Sequence, residues 1–403
     1  MAELEFKDLT FEAFKDKIKV NFLKIFYFYL DKTALEKISK FKINKNKIIF
    51  ENISEQKAQR KFNFLLQQGF KNLKNKITDR KTIYIHKNSN IPLIGSIYFG
   101  IIDRGTNIIE IRPTTGCNLN CIYCSVDEGI PSKRQLDFVV EEGYLIEELK
   151  KVIDFKGINN IEIHINAQGE PLLYADTADL IEDIKKIKTV KVISIDTNGT
   201  LLTKNLIDEL AEAGLTRINL SLNALSRDLA EKMANKPYNL KKVLEIAEYI
   251  PKKLDLIIAP VLVPGYNDKE IPKLIEFAKK IKAGKKCPPI GIQNFLNYKF
   301  GRNPVKAMSL EVFFKKIKDL EKKYDINLTV KEGFKIIKTK ELPKPFKRKE
   351  IVEAKIVLPG RLKNEKLAMA KNRLISIPNC YKNGMVKIKI TRTKHNIFFA
   401  ELV

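Results

Sequence analysis

Residues 107–129 read "NIIEIRPTTGCNLNCIYCSVDEG". An apolar, β-branched run over 107–113 breaks off into a polar loop that carries three of the chain's five cysteines, Cys117, Cys121 and Cys124. Strand followed by polar loop is the opening of a βα unit, with its chemistry at the strand's C-terminal end. The pattern continues downstream in "NIEIHIN" (160–166), "VKVISIDT" (190–197), "RINLSLN" (217–223), "LDLIIAPVLV" (254–263) and "PIGIQNF" (289–295). Helical period fills the gaps, as where Leu145, Leu149 and Val152 share one face and Glu147, Glu148, Lys150 and Lys151 the other. Asn267 and Glu270 read as a capping box ahead of "LIEFAKKI". Six such units predict a parallel sheet, since each crossover carries a helix. Six strands are too few to close an eight-stranded barrel. The expected fold is therefore α/β, an open partial (βα)6 barrel over 107–330, with "AQGEP" (167–171), "DTNGT" (196–200), "SLNAL" (221–225) and "VPGYND" (263–268) converging with the cysteine loop at one end.

The flanks read differently. Residues 1–106 form an N-terminal α+β extension, expected as amphipathic helices to about residue 75 and then a hairpin-like stretch, "KTIYIHKNSNIPLIGSIYFGII". The Lys/Pro-rich "TKELPKPFKRKE" (339–350) breaks periodicity and marks a linker over 331–349. Short strand-like runs separated by Pro359-Gly360 and Asn383-Gly384 make 350–403 a small β-barrel.

Net charge is +26. A general lysine bias would explain it, but its placement favours a contact surface for a polyanion: residues 1–110 carry 21 Lys+Arg against 12 Asp+Glu, and 346–403 carry 14 against 4. No apolar run approaches the ~18 residues of a membrane span, and "MAELEFKDLT" lacks the features of a signal peptide. The expectation is a cytoplasmic protein without membrane contact. Crowded cysteines fit metal binding in a reducing compartment better than disulfides.

A C-x3-C-x2-C triplet can be half a zinc site, three buried thiols, or the ligand set of an iron–sulfur cluster. Zinc wants a second ligand pair, and Cys287 and Cys380 stand alone. Three thiolates can hold three irons of a [4Fe-4S] cluster and leave the fourth open to a small molecule. Here the chain resembles the radical S-adenosylmethionine (AdoMet) enzymes over about 107–325, on "CNLNCIYC" after the first strand and "AQGEP" at the second. The resemblance implies one [4Fe-4S] cluster on Cys117, Cys121 and Cys124 and AdoMet chelating the open iron, with reductive cleavage to a 5′-deoxyadenosyl radical. It implies Tyr123 near adenine, Gly169 and Glu170 receiving the methionine ammonium, and Thr197, Asn198, Ser221 and Asn223 reaching ribose and carboxylate. The fifth-strand end, Val263 to Tyr266, lacks the glutamate that the family usually places there.

Residues 350–403 resemble a TRAM domain, a small barrel found on RNA-modifying enzymes. Arg361, Lys371, Arg373, Arg392 and Lys394, interleaved with Tyr381 and Phe398, are the candidates to follow phosphates and stack bases; a solvated basic face on a packing module is the alternative. A radical AdoMet core followed by TRAM is the order of tRNA methylthiotransferases, but residues 1–116 contain none of the cysteines those enzymes place in an N-terminal domain. Cys287 and Cys380 are too few for a second cluster; Cys287, just before the sixth strand, is a candidate catalytic thiol and otherwise a buried small hydrophobe. The expected function is radical modification of a base in tRNA or rRNA, with a one-electron donor such as a ferredoxin. The alternative is a protein side chain or metabolite as substrate.

Overall fold

The computed structural model describes residues 1–328 and 336–403. Five parallel strands run side by side in the order Ile108–Arg112, Ile161–Ile165, Val190–Thr197, Arg217–Leu220 and Asp255–Ile258, and antiparallel Gly100–Asp103 edges the first. The expected sixth strand is reduced to two contacts, an Ile258–Ile290 bridge and a parallel pairing of Val261–Leu262 with Gln293–Asn294. Helices such as Glu142–Lys156, Lys204–Ala213 and Glu270–Lys280 follow the strands. Their apolar faces (Leu145, Leu149, Leu210, Leu274) share one core with Ile109, Ile111, Ile163, Ile165, Ile195 and Ile218. The result is the expected open α/β barrel.

The other face of this sheet is polar. Cross-strand partners put Glu110, His164, Ser194, Arg217 and Asp255 in one row. Polar residues alternate with aliphatic ones along Ile161–Ile165 and Arg217–Leu220 and over 110–112 and 194–196, so the aliphatic set between them packs outward under the helices.

The N-terminal extension corrects the sequence reading. Helices were expected to about residue 75, but six strands occupy 2–50 (Ala2–Glu5, Leu9–Phe14, Lys17–Phe22, Phe26–Asp31, Phe41–Asn44 and Lys47–Phe50), and the one long helix is Glu55–Phe70. Alternation in "AELE" and "FYFYLD" is of period two, with every second side chain buried. The turns are made by Lys15, Leu23, Lys24 and Lys45 at positive φ, residue types that carry none of the usual hairpin signal. This sheet also captures part of the core's sequence: Leu136–Val140, just after the cysteine loop, pairs in parallel with Lys81–Ile85.

The capping box at Asn267 and Glu270 is likewise overturned. Lys269 is the N-cap of Glu270–Lys280 and no side chain caps it. Asn267 instead accepts from Val263 N (2.8 Å) and donates to the carbonyls of Asn223 and Val261, while Glu270 accepts from Leu225 N and Ser226 N. Both tie down the loops after the fourth and fifth strands.

Residues 329–335, the end of the expected core and the first five of the expected linker, lie outside the described residues, and 336–349 form a strap laid on the core. Lys338 bridges Thr106. Fully buried Lys156 reaches Asp103 (2.8 Å), Thr339 and Lys340 O, and Asp103 also accepts from Leu342 N. The C-terminal strands Ile351–Pro359, Lys366–Ala370, Arg373–Ile377, Met385–Arg392 and Phe398–Leu402 close into a barrel in the order first-second-third-fifth-fourth. Third and fifth are parallel, and the fourth returns to the first, the arrangement of OB-type barrels. Its interior is apolar, with Phe346 from the strap packed edge-on against Phe398.

Candidate active site

The cysteine loop and "AQGEP" are joined by backbone. Thr115–Gly116 pairs in parallel with Gln168–Gly169, and Glu170 N donates to Gly116 O at 2.9 Å. Gly169 sits at φ 152°, where a Cβ would lie 1.8 Å from Gly116 O, so any other residue would push the two motifs apart. This contact brings Cys117, Cys121, Cys124, Tyr123, Gly169, Glu170, Thr197, Asn198 and Ser221 around one cavity of about 340 Å³ at the C-terminal ends of the strands. Asn223 stands behind it, donating to the Tyr123 hydroxyl at 2.6 Å and accepting from Val261 N at 2.8 Å.

The thiols suit a cluster better than a single ion. All three are half-buried and line the same wall, yet among the described residues no three His, Cys, Asp or Glu side chains converge as they would on one metal ion. In a four-iron cluster each thiolate ligates a different iron, so the sulfurs stay apart. Leu119 N donates to Cys117 Sγ at 3.4 Å and Glu128 N to Cys124 Sγ at 3.3 Å, which stabilises thiolate charge. Burial works the other way and pushes Cys121 up to about 12, with Cys124 raised as well. Iron supplies the positive charge that makes such thiols thiolates.

Glu170 is 2% exposed and held from three sides, by Thr197 Oγ1 (2.7 Å), Asn198 N (2.8 Å) and Leu172 N (3.2 Å). Burial still pushes its carboxyl up to about 7 against those bonds. A buried carboxylate so placed gains from a nearby cation, which an ammonium group would provide. Thr197 and the Asn198 backbone thus hold Glu170 in position. The Asn198 side chain turns to Asn118 Oδ1 (3.0 Å) in the cluster loop.

Sequence reasoning missed the floor of this cavity. Glu110 is pulled down to about 2: burial opposes its charge, but Arg112 and Arg104 outweigh burial. Arg112 Nε donates to it at 2.7 Å and Arg104 Nη2 at 2.7 Å. Arg217 pairs with Glu162, which also accepts from Ser194 at 2.8 Å. His164 bridges Ser194 (2.9 Å) and Asp196 (3.2 Å). Burial resists a charge on His164, but Asp196, Glu110 and Glu162 together hold it above its ordinary range. Arg112, Asn166 and Asp196 face the cavity. The signal was the strict polar alternation in "EIR", "EIHIN" and "SID", foreign to parallel strands buried on both faces. Arg302 was also missed. Its backbone N–H and guanidinium donate to Cys124 O (2.8 Å), Cys121 O (3.1 Å), Pro131 O (2.7 Å) and Asp127 (2.8 Å), strapping the 296–308 loop over the cysteines.

Two nucleic-acid candidates are corrected. Arg361 has no exposed surface, and its guanidinium is committed to Glu128, Asp137 and Leu136 O; a buried, fully paired arginine cannot follow phosphates. Phe398 fills the small barrel and offers no face to a base. Arg392 and Lys394 are exposed, Lys371 is exposed and pairs with Glu350, Arg373 is half-buried against Pro343 O, and Tyr381 is 72% exposed. Cys287 does not reach the site: its thiol bonds Asp255, the first residue of the fifth strand, at the end of the barrel away from the cysteine loop. Cys380 is buried in the small barrel.

Residues 111–278 match the family model described as Radical SAM superfamily. A protein of Methanocaldococcus jannaschii, named uncharacterized protein MJ0103, is 46% identical over 82% of this chain and 83% of its own length. The GTP 3′,8-cyclase of Aquifex aeolicus is 31% identical over 45% of this chain. This chain spans about half the length of that cyclase, 55%. Among solved structures a spore photoproduct lyase mutant aligns at TM-score 0.43 and 15% identity, over 63% of this chain and 80% of that one, a likeness too weak to build on.

Proposed function

This chain belongs to the radical SAM superfamily of enzymes, and from that premise we propose that it modifies a base in structured RNA, a tRNA or rRNA, with the C-terminal barrel as a TRAM-type module. The bound group supplies one-electron cleavage of AdoMet and a 5′-deoxyadenosyl radical. Cys117, Cys121 and Cys124 hold the cluster. Gly169 and Glu170 orient the methionine ammonium, Tyr123 and Ser221 line the adenosine side, and the Arg302 strap keeps water from the cysteines.

The observation that carries the macromolecular reading is the size and openness of the cavity. Pockets that enclose one drug-sized ligand run from about 300 to 1,000 Å³, and at about 340 Å³ this one has room for little beyond a cluster and AdoMet. A substrate would then meet the radical beside the exposed Leu296 and Tyr298, as one residue of a larger molecule. Exposed Arg392, Lys394, Lys371 and Tyr381 on the barrel suit a phosphate backbone and an unpaired base. A low-potential donor such as a ferredoxin would supply the electron. The second reading, a free nucleotide as substrate, is favoured by the cyclase similarity within the core.

The test is the nucleoside profile of cells lacking this protein, read with binding of total tRNA and rRNA to the full chain at several salt concentrations. A missing nucleoside with steeply salt-dependent binding is expected. An unchanged profile with salt-independent or absent binding overturns the RNA reading and leaves the free nucleotide.

A further inference from the structure

Four ionisable side chains meet behind the cysteine loop, and they come from every part of the chain. Arg80 belongs to the N-terminal extension, Glu128 to the cysteine loop, Asp137 to the Leu136–Val140 strand and Arg361 to the small barrel. Each is less than 10% exposed. Arg361 bonds both carboxylates, reaching Asp137 at 2.7 Å. Arg80 reaches Glu128 at 3.0 Å and Gly129 O at 2.6 Å. Asp137 also accepts from Thr78 (2.6 Å), Asn75 (3.1 Å) and Thr115 (3.2 Å). Two positive and two negative charges cancel, and no polar atom of the two carboxylates or two guanidiniums is among the buried atoms left without a partner.

Desolvating four charges costs several kcal/mol per ion, and a well-packed apolar joint would bind the parts together as firmly. What ion pairs add is direction. Glu128 is the hinge of the arrangement: its carboxylate lies between Arg80 and Arg361, and its backbone N–H donates to Cys124 Sγ at 3.3 Å. Hydrogen bonds to cluster sulfurs are among the protein's levers on reduction potential.

We propose that Arg361 is a positioning residue for the cluster: by clamping Glu128 it fixes the N–H that Glu128 gives to Cys124, so docking of the small barrel helps set the potential at which the cluster is reduced. This goes beyond the substrate assignment and holds whether the substrate is RNA or a nucleotide. A residue selected in the sequence for phosphate binding thereby serves the redox centre instead.

The experiment uses the full chain, reconstituted with iron and sulfide, and reads the cluster's midpoint potential by EPR-monitored titration. Arg361→Met is expected to move the midpoint to more negative values and, with donor potential held constant, to slow AdoMet cleavage by about 10- to 100-fold, the range typical of lost outer partners at metal sites. Arg361→Lys should recover part of both. Lys156→Met, which loosens the strap far from the cysteines, should lower the melting temperature and leave the midpoint unchanged. If Arg361→Met does not fold, Glu128→Gln reads the same quantity, since it keeps the backbone N–H and removes the charge that holds it. A wild-type midpoint and EPR spectrum in cluster-loaded Arg361→Met or Glu128→Gln, whatever the melting temperature, overturns the proposal.

Discussion

On the concave face of the open barrel Glu110, His164, Ser194 and Arg217 lie side by side on four strands, whereas the small closed barrel is filled by Ala368, Ile375, Ile388 and Phe398. Both are sheets rolled about an axis, built from strands of similar length. The difference is closure. Five strands curled onto themselves leave room only for their own side chains, so apolar residues fill the space and nothing can be bound there. A sheet that stops short of closing keeps an open face, and a polar lining on it costs little because each charge has a partner or water. Chemistry therefore sits in the unfilled barrel, and the filled one contributes through its surface and its loops.

The sharpest contrast comes from the cysteines. Cys121→Ala should reduce iron content and 5′-deoxyadenosine formation to background, while the urea midpoint of the metal-free chain moves little, because the exchange removes a single sulfur atom from a half-buried position. A large loss of folding stability would mean that the loop, like the small barrel, is held by its own packing. Phe398→Ala should do the opposite and destabilise the small barrel by about 3–5 kcal/mol, measured by denaturation of the full chain. A cost below about 1 kcal/mol would show that this interior is not close-packed.

Acid separates the barrels next. Glu110 is held down to about 2, against an ordinary 4.5, by Arg112 and Arg104 despite its burial. Its folded value is the lower one, so its contribution is complete above about pH 4.5 and is lost as pH falls through about 2. Urea midpoints taken down this range should drop for the wild type and show a shallower acid limb for Glu110→Gln; parallel curves would remove Glu110 from the account. The smallest effect belongs to the surface. Exchanging Arg392 and Lys394 together for alanine should change stability by no more than about 0.5 kcal/mol, yet cut the salt slope of RNA binding by about 1.4, at about 0.7 per single-strand phosphate contact. An unchanged slope would place the RNA surface elsewhere.

Much of the site was legible because its signals are local. Spacing within "CNLNCIYC" and the glycine of "AQGEP" depend on a few neighbouring residues, and a strand that ends in such a loop places it at the barrel's C-terminal end. The polar floor was also present in the sequence, as charged residues alternating in "EIHIN" and "SID". It went unread because alternation alone does not say which face is concave. The N-terminal strands were hidden by lysine turns, whose positive φ is imposed by the hairpin around them.

Arg361 shows where local reading stops. In the sequence it is one basic residue among many on a barrel rich in them, and composition assigns it to solvent and phosphate. Glu128 and Asp137 are more than 200 residues earlier, and no periodicity links them. Sequence by itself determined the order of the modules and the loop that carries the three cysteines, and by resemblance to a family it implied a cluster and AdoMet there, because residue spacing and strand period are short-range. Only the tertiary structure decided which charges are buried together, because burial is set by which surfaces dock, and docking joins residues that the chain keeps far apart.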